Sequence, residues 1–480
     1  MKMKKKLGAA ESRGYWEWAG VAAVIGVHVL YLLHTTFVDW PEMLVYPWFL
    51  TRHLLYYRDV VLAYVPGSYY ILYALYSMLG FSVKSERIIA YLFIFLTDIF
   101  VYIAAKKLTK SRVWALAGMA FFIFWQPILS GNTIWYETML APVYLGAFLA
   151  ALSYLEKPSG RRAVVLGLLL ALASVIKQTA AWSITLVCLF VWLSDRKKSV
   201  GFWRAVTIGI LPVGANLLFW AYFALLGAGK QYFFWAYGFL LMLSHGSSMY
   251  MLPPTRGDIA FIAPAFVPIA LALFLFRKNK TITLLFLWTA ALIMAGLPRW
   301  GIHRLQPALA FAALGFSSLL PYFWTKKYPA RLIAGILIAA FVFSGSYRSI
   351  RLFVNVRDRM QPQFFGTPYQ KLVDFVRYRF AGPFWVMGND DYIYFGLDRT
   401  PWVLPWVPLF PWNAEVPGLE QDLIRSIDRQ QIPYILYIPY HGTRGYYDSY
   451  RPEALYLYLT SKYEKIAPVP AAGGWLYARK

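Results

Sequence analysis

The chain has 480 residues, of which 59% are hydrophobic, 19% aromatic and only 15% charged. A soluble domain is about 45–50% apolar and about 25% charged, so a disordered chain, a collagen, a disulfide-stapled module and an ordinary cytosolic enzyme are excluded. The net charge of +24 would suit nucleic acid, but the placement of the cations makes it a topology signal, and no nucleic-acid partner is expected. What remains is a polytopic membrane protein with one sizeable polar part.

Apolar runs long enough to cross or nearly cross a bilayer lie at 15–36, 87–105, 112–129, 139–155, 163–176, 179–194, 203–227, 258–276, 281–297, 303–323 and 330–347. The fold class is therefore mainly α, with about 11 transmembrane helices. The first run follows Lys2, Lys4, Lys5 and Lys6, as in a signal peptide, but no small-residue cleavage site closes it, so it reads as an uncleaved span. A further apolar stretch at 66–80 opens with Pro66-Gly67 and is rich in tyrosine. Tyrosine favours the membrane interface, so this stretch reads as a helix on the outer leaflet and not as a span. Cys188 sits inside an apolar run and reads as a small buried hydrophobe.

With the N-terminus in the cytoplasm, the inside segments 1–14, 106–112, 156–162, 195–204, 277–280 and 326–331 are each rich in Lys and Arg. The outside gaps 130–138, 177–178, 228–257 and 298–304 carry few cations: Lys177, Lys230, Arg256, Arg299 and Arg304. This alternation follows the positive-inside rule and fails if 66–80 spans. It predicts a multi-pass protein of the plasma (inner) membrane with an extracytoplasmic C-terminus. The transmembrane part is expected over 1–349, with a long first outside loop at 37–86, and a small extracytoplasmic α/β domain over 350–480. In that domain 371–380, 419–430 and 452–463 read as helices. The runs 384–387, 434–438 and 475–477 read as strands, and their alternation with helices suggests a parallel layer.

Chemistry-bearing residues gather in the outside loops. Asp39 lies just past the first span, and Arg58-Asp59 lies further along the same loop. Glu137 follows Trp135-Tyr136, Lys177 marks a span junction, and Arg299, His303 and Arg304 precede a late span. Each has a plain alternative: a solvated helix-end acid, a local ion pair, an interfacial anchor, a snorkelling lysine or flanking cations. Arg299 and Arg304 stand out because they sit on the wrong side for the positive-inside rule. Asp98, deep in a span, is costly there and is either functional or bonded to a neighbouring helix. The six histidines show no metal-ligand spacing, so no metal and no certain cofactor is expected.

The order of these features resembles the GT-C glycosyltransferases that use polyprenyl-phosphate sugars. Similar families are the dolichyl-phosphate-mannose–protein mannosyltransferases and the bacterial lipid A aminoarabinose and lipopolysaccharide sugar transferases. The resemblance rests on an acid opening the first loop (Asp39) and a second acid after tyrosine and before a proline (Tyr57-Arg58-Asp59, Pro66). It also rests on Glu137 in the second loop and on Arg299-Trp300 with His303 through Pro307. The sequence lacks the lysine beside the second acid of the aminoarabinose branch and the Trp-Trp-Asp signature of oligosaccharyltransferases. The resemblance implies transfer of a sugar from a polyprenyl-phosphate donor to a hydroxyl of a glycan, lipid or protein acceptor, with inversion, within membrane lipid. It implies Asp39 as general base with Asp59 and Glu137 as partners, and Lys177, Arg299, Arg304, His303 and Arg58 as donor-binding groups. The competing readings are a lipid-linked sugar flippase, an oligosaccharide ligase or polymerase using a pyrophosphate-linked lipid, and a non-catalytic scaffold.

Overall fold

The structure is a computed structural model that describes residues 2–194, 198–244, 250–297, 299–325, 364–380, 382–388, 390–440, 451–469 and 473–480. In chain order its helices are α1 (Lys2–Leu33), α2 (Pro41–Thr51), α3 (Gly67–Leu79), α4 (Val83–Thr109), α5 (Arg112–Trp125), α6 (Tyr136–Glu156), α7 (Gly160–Ile176), α8 (Ala181–Ser194), α9 (Lys198–Leu225) and α10 (Gly229–Phe233). They continue with α11 (Phe239–Ser244), α12 (Arg256–Phe276), α13 (Lys280–Met294), α14 (Gln306–Trp324), α15 (Thr367–Arg379), α16 (Tyr392–Leu397), α17 (Pro411–Ala414), α18 (Leu419–Arg429) and α19 (Glu453–Lys462). The strands are β1 (Phe384–Met387), β2 (Tyr434–Tyr437), β3 (Tyr463–Pro468) and β4 (Trp475–Arg479). The chain divides into two units. One comprises Met1–Val38, Arg87–Ala215 and Pro253–Gln361, and the other Asp39–Glu86, Asn216–Leu252 and Pro362–Lys480.

The first unit is a bundle of apolar helices. Over the whole chain, seven helices among the described residues are long and apolar enough to cross a membrane, and α8 and α13 are shorter apolar helices. Ten of the eleven expected runs are helical, and the eleventh, 330–347, lies outside the described residues. The centre of the bundle is α14, whose residues from Gln306 to Gly315 are all buried. Small residues let its neighbours approach. A Cβ on Gly118 of α5 would sit 2.8 Å from Ser317 Cβ, and one on Gly315 would sit 2.9 Å from the Ile269 backbone of α12. Close approach through small residues is how helices pack where burial of apolar area gives no driving force. Pro142 in α6 and Pro264 and Pro268 in α12 are tolerated inside these spans.

The second unit begins with α2 and α3. At 13 residues α3 is about 20 Å long, short of the roughly 30 Å hydrocarbon core. Its tyrosines Tyr69 and Tyr76 are fully buried, so they serve as packing groups. Tyr69 packs against Tyr46 and Tyr56 at 5.5 and 5.7 Å between ring centroids.

The C-terminal part of this unit holds a four-stranded sheet of order β1-β2-β4-β3. Only β1 and β2 are parallel, and β4 pairs antiparallel with both β2 and β3, so the expected all-parallel layer is corrected to a mixed sheet. The cause is the short β3–β4 connection, which cannot make a parallel crossover. Helix α18 packs against α19 and buries Leu419, Leu423 and Ile427, spaced four apart on one face.

Candidate functional site

Glu137 lies in the first turn of α6, where the helix dipole favours an acid. Lys177 caps α7 in extended backbone (φ −156°, ψ 131°), ahead of the 3₁₀ turn Gln178–Ala180. This break between α7 and α8 turns the lysine inward. Glu137 and Lys177 form an ion pair whose side chains are 6% and 1% exposed. Lys177 Nζ also lies 5.5 Å from the ring centroid of Tyr136. A buried pair of this kind adds little net stability, because desolvation of both charges offsets their attraction.

His303 lies in the 3₁₀ turn Ile302–Leu305 that leads into α14. Its ring meets Trp135 edge-on at 5.9 Å. Lys177, Arg299 and Arg304 all act electrostatically on its imidazole, and Arg304 is itself buried at 7% exposure. Five of the expected site residues of this unit therefore come together: Glu137, Lys177, Arg299, His303 and Arg304. Among the described residues, three cations gather here with one carboxylate, and such a concentration of positive charge suits an anion.

A second polar system of this unit runs through the spans. His28 Nδ1 lies 2.8 Å from Asp98 Oδ2, and His28 Nε2 lies 3.3 Å from Gln126 Oε1. Gln126 Nε2 donates to Gly131 O (2.7 Å), while Gln306 Nε2 donates to Gln126 O (3.0 Å) and Leu129 O (2.9 Å). Asn132 Nδ2 donates to Leu32 O and Thr35 O, both at 3.0 Å. Asp98 is thus bonded to a neighbouring helix, the plain reading of a buried acid. The network ties α1, α4 and the turn after α5 to the residue that opens α14, directly after Leu305. Gln126 and Gln306 carry no signal that singles them out in sequence. Val38 N donates to Asn132 O (3.0 Å) and Thr133 Oγ1 to Val38 O (2.6 Å), so the chain leading to Asp39 is pinned to the segment that leads to Glu137.

In the second unit Asp39 is fully buried. Its Oδ1 accepts from Phe364 N (3.1 Å) and its Oδ2 from Phe365 N (2.9 Å). Two consecutive amides fix the carboxylate's orientation. Arg58 and Asp59 form a local bidentate pair: Nε to Oδ1 at 3.0 Å and Nη2 to Oδ2 at 2.8 Å. Asp59 Oδ2 also accepts from Leu55 N (2.8 Å), tying its own turn. The Arg58 side chain is 54% exposed.

An acidic group of this unit, formed by Glu42, Asp390 and Asp391, has no place in the reading from sequence. Glu42 lies in the first turn of α2, and burial pushes its carboxyl up to about 7. Asp391 is 2% exposed; burial first, then the nearby Glu42 and Asp390 charges, hold its carboxyl well above the ordinary range. Tyr392 OH donates to Asp390 Oδ1 at 2.5 Å. The available signal was position: Asp390 and Asp391 follow β1, at the carboxyl end of a parallel pair. No group of three or more His, Cys, Asp or Glu able to hold a metal occurs among the described residues.

Comparison with solved structures identifies the fold. The chain matches ArnT from Cupriavidus metallidurans bound to undecaprenyl phosphate with a TM-score of 0.56 at 14% identity, covering 96% of this chain and 98% of that one. The apo state of ArnT matches with a TM-score of 0.59 at 13% identity, covering 97% and 98%. The archaeal oligosaccharyltransferase AglB from Archaeoglobus fulgidus, in complex with an inhibitory peptide and a dolichol-phosphate, matches at 0.56 and 13% identity, covering 98% of this chain and 74% of that one. No family model matches the chain, and no curated protein matches it in sequence. The expected architecture stands: a mainly helical, polytopic membrane protein of GT-C fold with a small C-terminal sheet.

Proposed function

We propose that the chain is an integral-membrane glycosyltransferase that moves a sugar from a polyprenyl-phosphate donor to an acceptor hydroxyl on the extracytoplasmic face, with inversion. The observation that carries this reading is the group of Lys177, Arg299 and Arg304 around His303 and Glu137, with Lys177, Arg304 and Glu137 buried, in a bundle of apolar helices. The fold supports it, being shared with a protein solved with undecaprenyl phosphate bound.

In the proposed step the acceptor oxygen attacks the anomeric carbon as the bond from that carbon to the phosphate oxygen breaks. The phosphate leaves with the electron pair. Fixed cations stabilise the charge that develops on it, and arginine can hold it bidentately. Glu137 holds Lys177 in place for this task. The hydroxyl proton passes to a carboxylate acting as general base, and Asp39 is the candidate because its orientation is fixed. Asp59 ties its own turn and Arg58 is engaged with it, so we give this pair a supporting role in shaping the loop. The N-terminus is placed in the cytoplasm by the lysine-rich loops.

The test compares membranes from cells expressing the wild type, Arg304→Ala or Asp39→Asn, by mass spectrometry of lipid-linked sugars and surface glycans. The expected result is accumulation of a polyprenyl-phosphate sugar and loss of one sugar residue from a glycan in both variants. Profiles that match the wild type in folded, membrane-inserted variants overturn the reading.

A further inference from the structure

One opening in the bundle described above lies away from the candidate site. It is a cavity of about 1140 Å³ at the C-terminal ends of α4, α6, α8, α12 and α14 and the N-terminal end of α13, all within the first unit. Helix α6 carries Glu137 in its first turn and lines this cavity with Leu155 and Glu156 at its other end. Its 21 residues span about 30 Å, one hydrocarbon thickness, so the cavity belongs to the opposite leaflet from the candidate site.

The lining has two characters. Lys107, Lys110 and Lys280 bring positive charge, and among the described residues Glu156 is the one carboxylate in the lining. Glu156 is 3.3 Å from Lys107. The walls carry Leu108, Leu152, Leu155, Phe276 and Ile282. Lysines at helix ends commonly complement the helix dipole, and Lys107, in the last turn of α4, fits that account. Lys280, the first residue of α13, sits at the disfavoured end of its own helix and reaches the C-terminal end of α8, where its Nζ donates to Ser194 O at 3.5 Å. The excess positive charge there calls for an anion, and the apolar walls call for hydrocarbon beside it.

We infer that this cavity binds an anionic phospholipid, with its phosphate among Lys107, Lys110 and Lys280 and its acyl chains along the apolar walls. Basic pockets between spans on the cytoplasmic side suit such headgroups, and anionic lipids are enriched in that leaflet. The volume exceeds the roughly 300–1,000 Å³ of a drug-sized site, as a headgroup with the start of two chains requires. The inference is independent of the transfer chemistry and stands if that reading fails.

The test uses the full-length chain, purified and delipidated in detergent, in native mass spectrometry with phosphatidylglycerol, phosphatidylcholine or inorganic phosphate. The wild type is expected to retain phosphatidylglycerol over phosphatidylcholine. The variant K107Q/K110Q/K280Q is expected to lose about five-fold in that affinity per lysine, on the order of 100-fold in all. The variant K157Q/R161Q/K278Q removes the same charge from exposed positions that do not line the cavity, and is expected to bind as the wild type does. Equal retention by the wild type and the cavity variant overturns the site. Equal loss in both variants also overturns it, by reducing the effect to net charge. Retention of inorganic phosphate with no preference for phosphatidylglycerol assigns the lysines to a soluble anion and overturns the lipid.

Discussion

Two acid–base pairs in this chain look alike in composition and differ in everything that decides function. Arg58 and Asp59 are neighbours in sequence, bidentate, and half open to water on the arginine side. Glu137 and Lys177 lie on different helices and are almost sealed from solvent. An exposed pair is worth about 0–1 kcal/mol and tolerates loss of either member. A buried pair holds two charges that water cannot rescue, here beside the further cations Arg299 and Arg304. Adjacency in sequence marks a local tie, whereas convergence across helices marks a site.

The sharpest way to break that comparison is to remove the groups assigned to chemistry. Asp39→Asn keeps the shape of the side chain and removes the proton acceptor, with an expected loss of about 10²–10⁴-fold in kcat and little change in donor KM. Arg304→Ala is expected to cost about 10²–10³-fold in kcat, as for removal of one fixed electrostatic donor. Single-turnover assays on both variants measure the chemical step directly. A kcat within about two-fold of the wild type for either one removes that residue from the mechanism.

A second prediction concerns the polar network within the spans. Replacing Asp98 by alanine leaves His28 buried without its carboxylate, and breaking one side of a buried pair costs about 3–5 kcal/mol. Replacing both, as His28→Leu with Asp98→Leu, is expected to recover most of that loss. Thermal unfolding in detergent checks both. If Asp98→Ala unfolds at the wild-type temperature, the network does not hold the turn after α5 or the start of α14.

Much of this architecture was legible in the sequence because hydropathy is a local property. Ten runs read as spans are helices, and β1, β2 and β4 fall where apolar runs of three to five residues predicted them. Strand β3, with the sequence Tyr463-Glu464-Lys465-Ile466-Ala467-Pro468, was missed. It follows α19 without a turn residue and alternates weakly, so only its pairing with β4 makes it a strand. The gathering of Glu137, Lys177 and His303 was legible only through loop assignment by charge. The Glu42 and Asp391 group was legible only in the position of Asp390 and Asp391 after β1, because Glu42 is far away in sequence and joins them only when α2 packs beside α16.

That acidic group gives the third prediction. Glu42 has an ordinary carboxyl value of 4.5 unfolded and about 7 folded, so the folded chain holds the extra proton between those values. Stability therefore falls as pH rises from about 4.5 to about 7, by on the order of 3 kcal/mol, and stays low above that. Asp391, raised further by burial and by Glu42 and Asp390, extends the fall to higher pH. Glu42→Gln is expected to raise the melting temperature at pH 8 and leave it unchanged at pH 4.5. A wild-type melting temperature that is flat from pH 5 to pH 8 contradicts the assignment.

The smallest expected effect tests the other half of the comparison. If Arg58 only braces its own turn, Arg58→Ala changes stability by no more than about 1 kcal/mol. Donor KM and kcat then stay within about five-fold of the wild type, the factor that about 1 kcal/mol corresponds to. Asp59→Asn should do slightly more, because Leu55 N also donates to that carboxylate. The informative outcome is the KM of the polyprenyl-phosphate donor. A rise of ten-fold or more in Arg58→Ala, with the melting temperature unchanged, means that the guanidinium leaves Asp59 to grip the phosphate. The exposed pair is then a working part of the site, held in reserve by its neighbour until the donor arrives.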